Sequence, residues 1–175
     1  MSRLGVVLAG GQSRRFGSDK ALARLDGRPL IAHALAALAG CDAVAVAGRD
    51  WPGLPTLPDR PGPDLGPLAG LNAALHHAAG LGFSAVASLP VDCPGLPADW
   101  LARLGQAPTP APAHAQGQPL IGLWPVTLAA DLDRFLATGG RRVQQWVATT
   151  GARAVDLGPL PNINTQADLS QHFMG

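Results

Sequence analysis

Residues 4–47 most restrict the fold of this chain, because they predict a strand, a helix and a second strand in succession. The apolar run LGVVL at residues 4–8 is typical of a buried strand. Residues 29–39 place apolar side chains on one helical face, with Pro29 at the first helical position, and residues 42–47 predict the second strand. This order makes the two strands parallel. We therefore expect an α/β fold with three layers, α/β/α, and a mostly parallel, Rossmann-like sheet.

The composition is typical of a globular protein with a core, since 47% of the residues are apolar and 14% are charged. With 175 residues and no internal repeat, we expect a single domain that spans residues 1–175. The net charge of +1 gives no general attraction to nucleic acid or to a membrane. The sequence shows no membrane-helix run, no signal-peptide pattern and two isolated cysteines, which predicts a cytoplasmic protein.

Three later stretches complete the predicted outline. Residues 83–89 are another apolar run, ended by Pro90, and predict a central strand. Residues 106–118 are rich in proline and alanine and fit either a hairpin or a disordered loop. Thr165 is the expected N-cap of a last helix over residues 165–173.

The turn at residues 8–20 (LAGGQSRRFGSDK) follows the first predicted strand and combines glycines with cations. Its two adjacent glycines lack a Cβ, so backbone N–H groups can approach a ligand closely. Arg14, Arg15 and Lys20 on the same turn favour an anion with several charges, such as a polyphosphate. The turn fits neither GxGxxG nor GxxxxGK[ST], so a dinucleotide site or a Walker-type site is not supported.

Lys20 is the only lysine in a chain that has 12 arginines and no glutamate. In a sequence so strongly biased towards arginine, a retained lysine indicates a need for a compact ammonium group rather than a planar guanidinium. The alternative is a lysine that persists by chance on a solvated loop.

Asp92 lies just after the strand predicted at residues 83–89. Ligands of open α/β sheets bind at the carboxyl ends of the strands, so neighbouring strands would place Asp92 opposite the cationic turn. That arrangement suits a metal–nucleotide complex, because Mg²⁺ needs only one or two carboxylates besides phosphate oxygens and water. The alternative role of Asp92 is that of an Asx-turn residue before Pro94.

Residues 8–20 resemble the signature of the nucleotidyltransferases that build activated cofactors and sugars. Within that superfamily the chain is most similar to the molybdenum cofactor guanylyltransferases. The resemblance implies an α/β fold of the nucleotide-diphospho-sugar transferase type. It continues along nearly the whole chain, in the same order and spacing, at GRPLIAH (27–33), Asp59, GPLAG (66–70), LPVDCPGLP (89–97), GRRV (140–143) and NINT (162–165).

The resemblance implies that GTP and Mg²⁺ are bound and that GMP is transferred to the phosphate of molybdopterin, with release of pyrophosphate. The residues that it implies as nucleotide ligands are Leu8, Ala9, Gly10, Gly11, Lys20, Asp59 and Asp92. The first three act through the backbone, Lys20 holds phosphate and Asp92 carries the metal. Arg15 is assigned to the leaving pyrophosphate, which makes Arg15, Lys20 and Asp92 the expected catalytic residues.

The residue types agree with this chemistry, since a phosphate monoester is already anionic near neutral pH and requires no general base. Positioning and electrostatic stabilisation of pyrophosphate suffice, so the reaction needs no Ser, Cys or His triad. The sequence departs from the family at two positions. Val46 stands where the family often has a nucleotide-contacting Asn, and Gln166 stands where the family has Pro.

Four further residues are candidate pterin ligands. Arg141 and Arg142 lie near a predicted helix start, where cations oppose the helix dipole, and they contact either the pterin phosphate or only solvent. Asn162 and Asn164 flank an isoleucine and either reach the pterin or the metal, or stabilise Asx turns. Besides GTP and molybdopterin, the expected partners are molybdenum-insertion proteins and acceptor molybdoenzymes.

Two alternatives remain open. The same chemistry suits another nucleotide or acceptor, as in a molybdopterin cytidylyltransferase or a sugar-phosphate nucleotidyltransferase. The GG pair at residues 10–11 and GPLAG at residues 66–70 favour the guanylyl branch, and a sugar enzyme would usually be longer after the metal aspartate. The second alternative is a GTP-binding adaptor without catalysis. An adaptor does not require both Lys20 and Asp92, although Val46 in place of Asn supports it.

Overall fold

The computed structural model describes residues 1–11, 19–106 and 111–172 of the chain. The α-helices of this part are α1 (Leu30–Ala37), α2 (Pro67–Gly80), α3 (Trp100–Leu104), α4 (Ala129–Ala137), α5 (Val143–Thr150) and α6 (Gln166–His172). Two short 3₁₀ helices span Lys20–Leu22 and Val126–Leu128. The strands are β1 (Arg3–Leu8), β2 (Arg24–Leu25), β3 (Arg28–Pro29), β4 (Ala43–Ala47), β5 (Thr56–Leu57), β6 (Ala85–Pro90), β7 (Ala113–Ala115), β8 (Gln118–Pro125) and β9 (Arg153–Val155).

Seven of the strands form one mixed sheet in the order β5-β4-β1-β6-β8-β7-β9. β5, β4, β1 and β6 are parallel neighbours, and Leu8 of β1 lies between Ala47 of β4 and Pro90 of β6. β8 runs antiparallel to both β6 and β7, whereas β7 and β9 are parallel. The prediction of a mostly parallel sheet is confirmed. The strands that precede Asp92 and the glycine-containing turn at residues 8–20 (the glycine turn) are direct neighbours, which the predicted placement of Asp92 opposite that turn requires.

Helices cover both faces of the sheet. Successive side chains of the central strand β1 point to opposite faces, so they pack against different helices. Leu4, Val6 and Leu8 pack against the core formed with α2, α4 and α5. Val7 points the other way and packs with residues of α1 and α3. Since both faces are covered, β1 is a continuous apolar run rather than an alternating one. The three layers of the expected α/β/α fold are therefore present.

A small hairpin, β2–β3, lies between Lys20 and α1, where the sequence pattern predicts no strand. Pro29 pairs with Arg24 in this hairpin and has an extended ψ of 145°, so the prediction that Pro29 is the first helical residue is wrong. The physical reason is the turn at Asp26 and Gly27, whose φ angles of 51° and 75° are those of a tight hairpin. The fixed φ of proline suits both conformations.

The proline- and alanine-rich segment is a hairpin where the structure describes it. β7 and the start of β8 pair antiparallel, so the hairpin alternative is confirmed from Ala113 onward, and residues 107–110 lie outside the described part.

At the other end of the chain, the Thr165 hydroxyl accepts a hydrogen bond from the amide of Asp168 at 3.2 Å, which confirms Thr165 as the N-cap. Within the described ranges, no helix has the length and apolarity needed to cross a membrane.

Candidate active site

Four neighbouring parallel strands each carry a site residue two positions beyond the last residue of the strand. Asp59 follows β5, Arg49 follows β4, Gly10 follows β1 and Asp92 follows β6. Because the strands are parallel, these residues meet at the same edge of the sheet. A cleft of about 520 Å³ opens there, and a smaller cavity of about 250 Å³ shares the turn after β1 with it.

The turns after β1 and β4 are packed backbone against backbone. Gly48 has a φ of +83°, and a Cβ at this position would lie 2.4 Å from the Cα of Gly10, so only glycine fits. The amide of Ala9 continues the sheet by donating to the carbonyl of Ala47 at 3.0 Å. A nucleotide contact of Ala9 must therefore use its carbonyl or its side chain, not its N–H group. Gly10 and Gly11, which follow Ala9, are exposed.

Lys20 and Asp92 form an ion pair inside the cleft. The Nζ atom of Lys20 lies 3.1 Å from Oδ2 of Asp92, and the two side chains are 15% and 25% exposed. The same Nζ atom donates to Oδ1 of Asn164 at 3.3 Å. The neighbouring Ile163 is buried, and its amide donates to the carbonyl of Asp92 at 2.7 Å. The structure thus brings together Lys20, Asp92 and one of the candidate pterin ligands.

Asp59 lines the smaller cavity, together with the exposed residue Asp64. Its Oδ1 atom faces α2 at Gly70 and the turn after β1 at Gly10, since a Cβ added at these glycines would lie 3.6 Å and 3.9 Å from it. Burial and the charge of Asp64 raise the pKa of Asp59. Hydrogen-bond donors on a ligand would favour the ionised form, so this cavity suits a ligand that presents donors.

The loop that carries Asp59 is fixed to α2 through the backbone of its next residue. The amide of Arg60 donates to the carbonyl of Ala69 at 3.2 Å, and its carbonyl accepts from Nδ2 of Asn72 at 3.4 Å. Asn72 is fully buried and also donates to Oδ1 of Asp133 on α4 at 2.7 Å. A chain of contacts therefore leads from α4 through α2 to the position of Asp59.

Asp133 is the ionised end of this chain of contacts. Its Oδ2 atom lies 2.8 Å from Nε2 of His76, and its Oδ1 atom lies 3.5 Å from Nε of Arg60. Burial by itself raises the pKa of Asp133, but the hydrogen bonds from Asn72 and His76 and the nearby cations hold the pKa below its usual value. Sequence reasoning does not single out Asn72 or Asp133, because neither lies in a recognised motif.

Arg49 and Asp19 form a second ion pair at the cleft. Nη1 and Nη2 of Arg49 donate to Oδ1 and Oδ2 of Asp19, both at 2.7 Å. The hydrogen bond from Arg49 lowers the pKa of Asp19. Neither residue was a candidate from the sequence. The available signal was position: Asp19 directly precedes Lys20, and Arg49 follows the same strand end as Gly48.

The other predicted residues lie in different places. Arg15 is outside the described residues. Arg141 donates from Nη1 to the carbonyls of Leu136 and Gly140 at 2.9 and 2.6 Å, at the end of α4. Arg142 is the N-cap residue of α5, and neither arginine is among the described residues that line the cleft. Their role as pterin ligands stays a prediction.

Val46 and Asn162 complete the placement of the candidates. The Val46 side chain is fully buried and packs on the α1 side of the sheet, so it is not available for the nucleotide contact implied for an Asn at this position. Asn162 is exposed on the segment that leads to Ile163.

The chemistry of the cleft fits a magnesium ion that is shared with a ligand. Within residues 1–11, 19–106 and 111–172, no three His, Cys, Asp or Glu side chains cluster to hold a metal by themselves. A single carboxylate, Asp92, fits Mg²⁺ when phosphate oxygens and water complete the coordination. Cys93 does not compete as a ligand, because burial and the adjacent Asp92 raise the pKa of its thiol to about 12.

A mostly parallel sheet whose strand ends bring a glycine turn, a lysine–aspartate pair and a carboxylate cavity together defines a nucleotide-binding α/β enzyme. Residues 5–154 match the family model of the MobA-like NTP transferase domain. The chain therefore belongs to the MobA-like NTP transferase family, and it is a nucleotidyltransferase.

Full-length relatives agree with this assignment. The chain is 45% identical to the molybdenum cofactor guanylyltransferase of Acidiphilium cryptum (strain JF-5), over 94% of this chain and 90% of that protein. It is 43% identical to the molybdenum cofactor guanylyltransferase of Rhodobacter capsulatus, over 95% of this chain and 93% of that protein.

Solved structures share the fold. Molybdopterin-guanine dinucleotide biosynthesis protein A from Archaeoglobus fulgidus superposes with a TM-score of 0.78 at 21% identity, over 97% of this chain and 96% of that chain. The 2-C-methyl-D-erythritol 4-phosphate cytidylyltransferase from Thermus thermophilus superposes with a TM-score of 0.75 at 18% identity, over 98% of this chain and 97% of that chain. At these identities the two superpositions show that the chain shares this fold.

Proposed function

We propose that this protein transfers GMP from GTP to the phosphate of molybdopterin, which forms the guanine dinucleotide form of the molybdenum cofactor and releases pyrophosphate. The observation that carries the proposal is the Lys20–Asp92 pair, which faces the glycine turn in a cleft of about 520 Å³. The names of the full-length relatives support the choice of nucleotide and acceptor.

The triphosphate lies along the glycine turn on the side of Lys20 and Asp92. Lys20 pairs with phosphate oxygens, and Arg15 is assigned with it to the leaving pyrophosphate. Asp92 would hold Mg²⁺, which would neutralise phosphate charge and make the α-phosphorus more electrophilic. A phosphate oxygen of molybdopterin bonds to the α-phosphorus, the bond from this phosphorus to the bridging oxygen breaks, and pyrophosphate leaves with the electron pair.

The guanine base occupies the smaller cavity at Asp59. The Watson–Crick edge of guanine presents two adjacent donors, the ring N1–H and the 2-amino group, and one carboxylate can accept from both. Cytosine and adenine present an amino group beside a ring acceptor, which a carboxylate would repel. The Oδ1 atom of Asp59 faces the backbone of Gly10 and Gly70, which supports its role as the acceptor at the floor of the cavity.

The molybdopterin phosphate approaches from the side of Asn164. This side chain contacts Lys20, so among the four candidate pterin ligands it is the one that adjoins the reacting groups. Asn162 lies on the same segment, and Arg141 and Arg142 keep their predicted role. The cytoplasmic location and the contacts with molybdenum-insertion proteins and acceptor molybdoenzymes also remain part of the proposal.

Pyrophosphate release by the purified protein tests the proposal. We expect pyrophosphate release from GTP and Mg²⁺ only when molybdopterin is present. Release from CTP should be at least about tenfold slower, because a site that hydrogen-bonds one base discriminates strongly against a base that lacks the matching donors. Equal or faster release from CTP would assign the chain to the cytidylyl branch. Tight GTP binding without any release would favour a nucleotide-binding adaptor.

A further inference from the structure

The Arg49–Asp19 ion pair joins the turn after β4 to the segment that carries Lys20, and both segments border the cleft. The guanidinium of Arg49 contacts both carboxylate oxygens of Asp19, each at 2.7 Å. Such a two-point contact fixes orientation as well as distance, which a single ion contact does not. The two side chains are 23% and 46% exposed, and both line the cleft.

Asp19 caps the short helix that begins with Lys20. It is the N-cap residue of the 3₁₀ helix Lys20–Leu22, and its Oδ1 atom accepts from the amide of Ala21 at 3.2 Å. Its carbonyl accepts from the amide of Leu22 at 3.1 Å. The carboxylate that Arg49 holds is therefore the same group that caps the turn of Lys20.

The backbone that leads to Arg49 is held by contacts with neighbouring strands. The preceding Gly48 is packed against Gly10, where a Cβ would lie 2.4 Å from the Cα of Gly10. The amide of Gly48 also donates to the carbonyl of Leu57 at 3.1 Å. The backbone beside Arg49 is thus held by β1, β4 and β5 together, so the Arg49 side chain can restrain the position of Asp19.

We propose that Arg49 is a positioning residue, which acts through Asp19 and holds the turn of Lys20 so that its ammonium group meets Asp92 and the phosphates. The effect of Arg49 on turnover rests on the proposed function. Its effect on the position of Lys20 does not, because that effect depends only on contacts between side chains of this chain, Arg49 with Asp19 and Lys20 with Asp92.

The single lysine of the chain provides a direct readout. Protein labelled with ¹³C,¹⁵N-lysine gives one correlation between Cε and Nζ, which is the Lys20 signal. The position of this signal in Asp92→Asn is the reference for Lys20 without its ion pair. We expect Arg49→Gln and Asp19→Ser to move the Lys20 signal in the direction of Asp92→Asn. Serine keeps a cap acceptor for the amide of Ala21, so Asp19→Ser removes mainly the contact with Arg49. Arg134→Gln, which breaks an exposed ion pair with Asp131, should leave the signal unchanged.

Kinetics of the same variants test whether Arg49 works through Asp19. We expect each single variant to lower kcat about 10- to 100-fold with little change in the KM for GTP. The double variant should be no slower than the slower single variant, because both changes break the same contact. Arg49→Lys should be intermediate, since lysine offers only a single-point contact.

Several results would overturn the proposal. An unmoved Lys20 signal in Arg49→Gln, or a moved signal with unchanged kcat, would contradict positioning through Asp19. Losses that multiply in the double variant would mean that Arg49 contacts the nucleotide by itself. If the wild-type protein released no pyrophosphate at all, the proposed function would fail, while the NMR comparison would still decide the position of Lys20.

Discussion

Asp92 and Asp59 lie at the same edge of the sheet, each just after a strand, yet the charged groups beside them have opposite signs. Asp92 pairs with the ammonium group of Lys20 at 3.1 Å, next to the amide group of Asn164. Asp59 lies in a cavity with the carboxylate of Asp64, and burial and this like charge raise its pKa. The carboxylate of Asp92 therefore has a cation beside it, whereas the carboxylate of Asp59 has another carboxylate beside it.

Under the proposed function, this difference corresponds to two roles, affinity for the reacting phosphates at Asp92 and choice of base at Asp59. A carboxylate that already holds a cation can exchange it for a metal–phosphate complex without leaving a buried charge unpaired. A carboxylate whose ionised form lacks such a partner gains most from a ligand with N–H donors. The variants below should separate the two roles.

Asp92→Asn should lower kcat at least about 1,000-fold, because the amide is a poor metal ligand and cannot balance the charge of Lys20; this corresponds to about 4 kcal/mol. Pyrophosphate release measures the loss, and thermal unfolding checks that the fold is intact. Asp131→Asn, at an exposed ion pair on α4, is the matched control and should retain wild-type turnover. Near-normal turnover in Asp92→Asn would contradict the role of this side.

Lys20→Met should lower kcat about 100-fold, which is typical for the loss of one charge-stabilising donor. Without nucleotide, the same variant should bind Mn²⁺ more tightly than the wild type, because the carboxylate of Asp92 loses its internal cation. Calorimetry with Mn²⁺ measures this gain separately from turnover. Weaker Mn²⁺ binding in Lys20→Met would mean that Lys20 supports the metal site rather than occupying its place.

Asp59→Asn should lower kcat/KM for GTP about 10- to 100-fold, since hydrogen bonds to a charged group contribute about 1.5–3 kcal/mol. The discrimination between GTP and ITP should shrink, because ITP lacks the 2-amino group that the carboxylate accepts from. Turnover at saturating GTP should change little. An unaltered GTP/ITP ratio, or a loss confined to kcat, would remove Asp59 from base recognition.

The raised pKa of Asp59 predicts the pH dependence of GTP binding. Protonation removes the acceptor, so affinity should be lost as the pH falls through the raised pKa, at a higher pH than for an ordinary Asp. Asp64→Asn removes the like charge and should shift this loss to lower pH. GTP affinity measured by calorimetry over the acid range gives the midpoint, and a midpoint that stays in place would contradict the influence of Asp64.

Asp133→Asn should have the smallest effect, about 1 kcal/mol of stability at pH 7, because its contacts with His76 and Arg60 are partly exposed. The pKa of Asp133 is lowered in the folded state, so its stabilisation is present above the unfolded pKa and is lost as the pH falls through the folded pKa. Urea unfolding should therefore show a difference from wild type at pH 7 that shrinks towards about pH 3. A constant difference would exclude this linkage.

The sequence predicted most of the fold because its strands and helices are locally encoded. The continuous apolar run of β1 indicated a strand buried on both faces, and the strand–helix–strand order indicated the parallel pairing of β1 and β4. The β2–β3 hairpin was missed although Asp26-Gly27 is a hairpin turn dipeptide. The two strands have only two residues each, too few for a visible alternation.

The site divides in the same way. Lys20 and Asp92 were predicted together because strand ends of a parallel sheet converge, whatever the details of packing. The contacts of Arg49 with Asp19 and of Asn72 with Asp133 span 30 and 61 residues. These pairs depend on side-chain direction and on how helices lie on the sheet, which residue types and spacing do not specify.

Anomalous diffraction from a crystal with Mn²⁺ and a non-hydrolysable GTP analogue tests the division of the two carboxylates most directly. We predict a Mn²⁺ peak bonded to Asp92, with Lys20 moved onto the phosphates and guanine in the cavity at Asp59. A Mn²⁺ peak between Asp59 and Asp64, with the base lying against Asp92, would contradict the assignment of both sides.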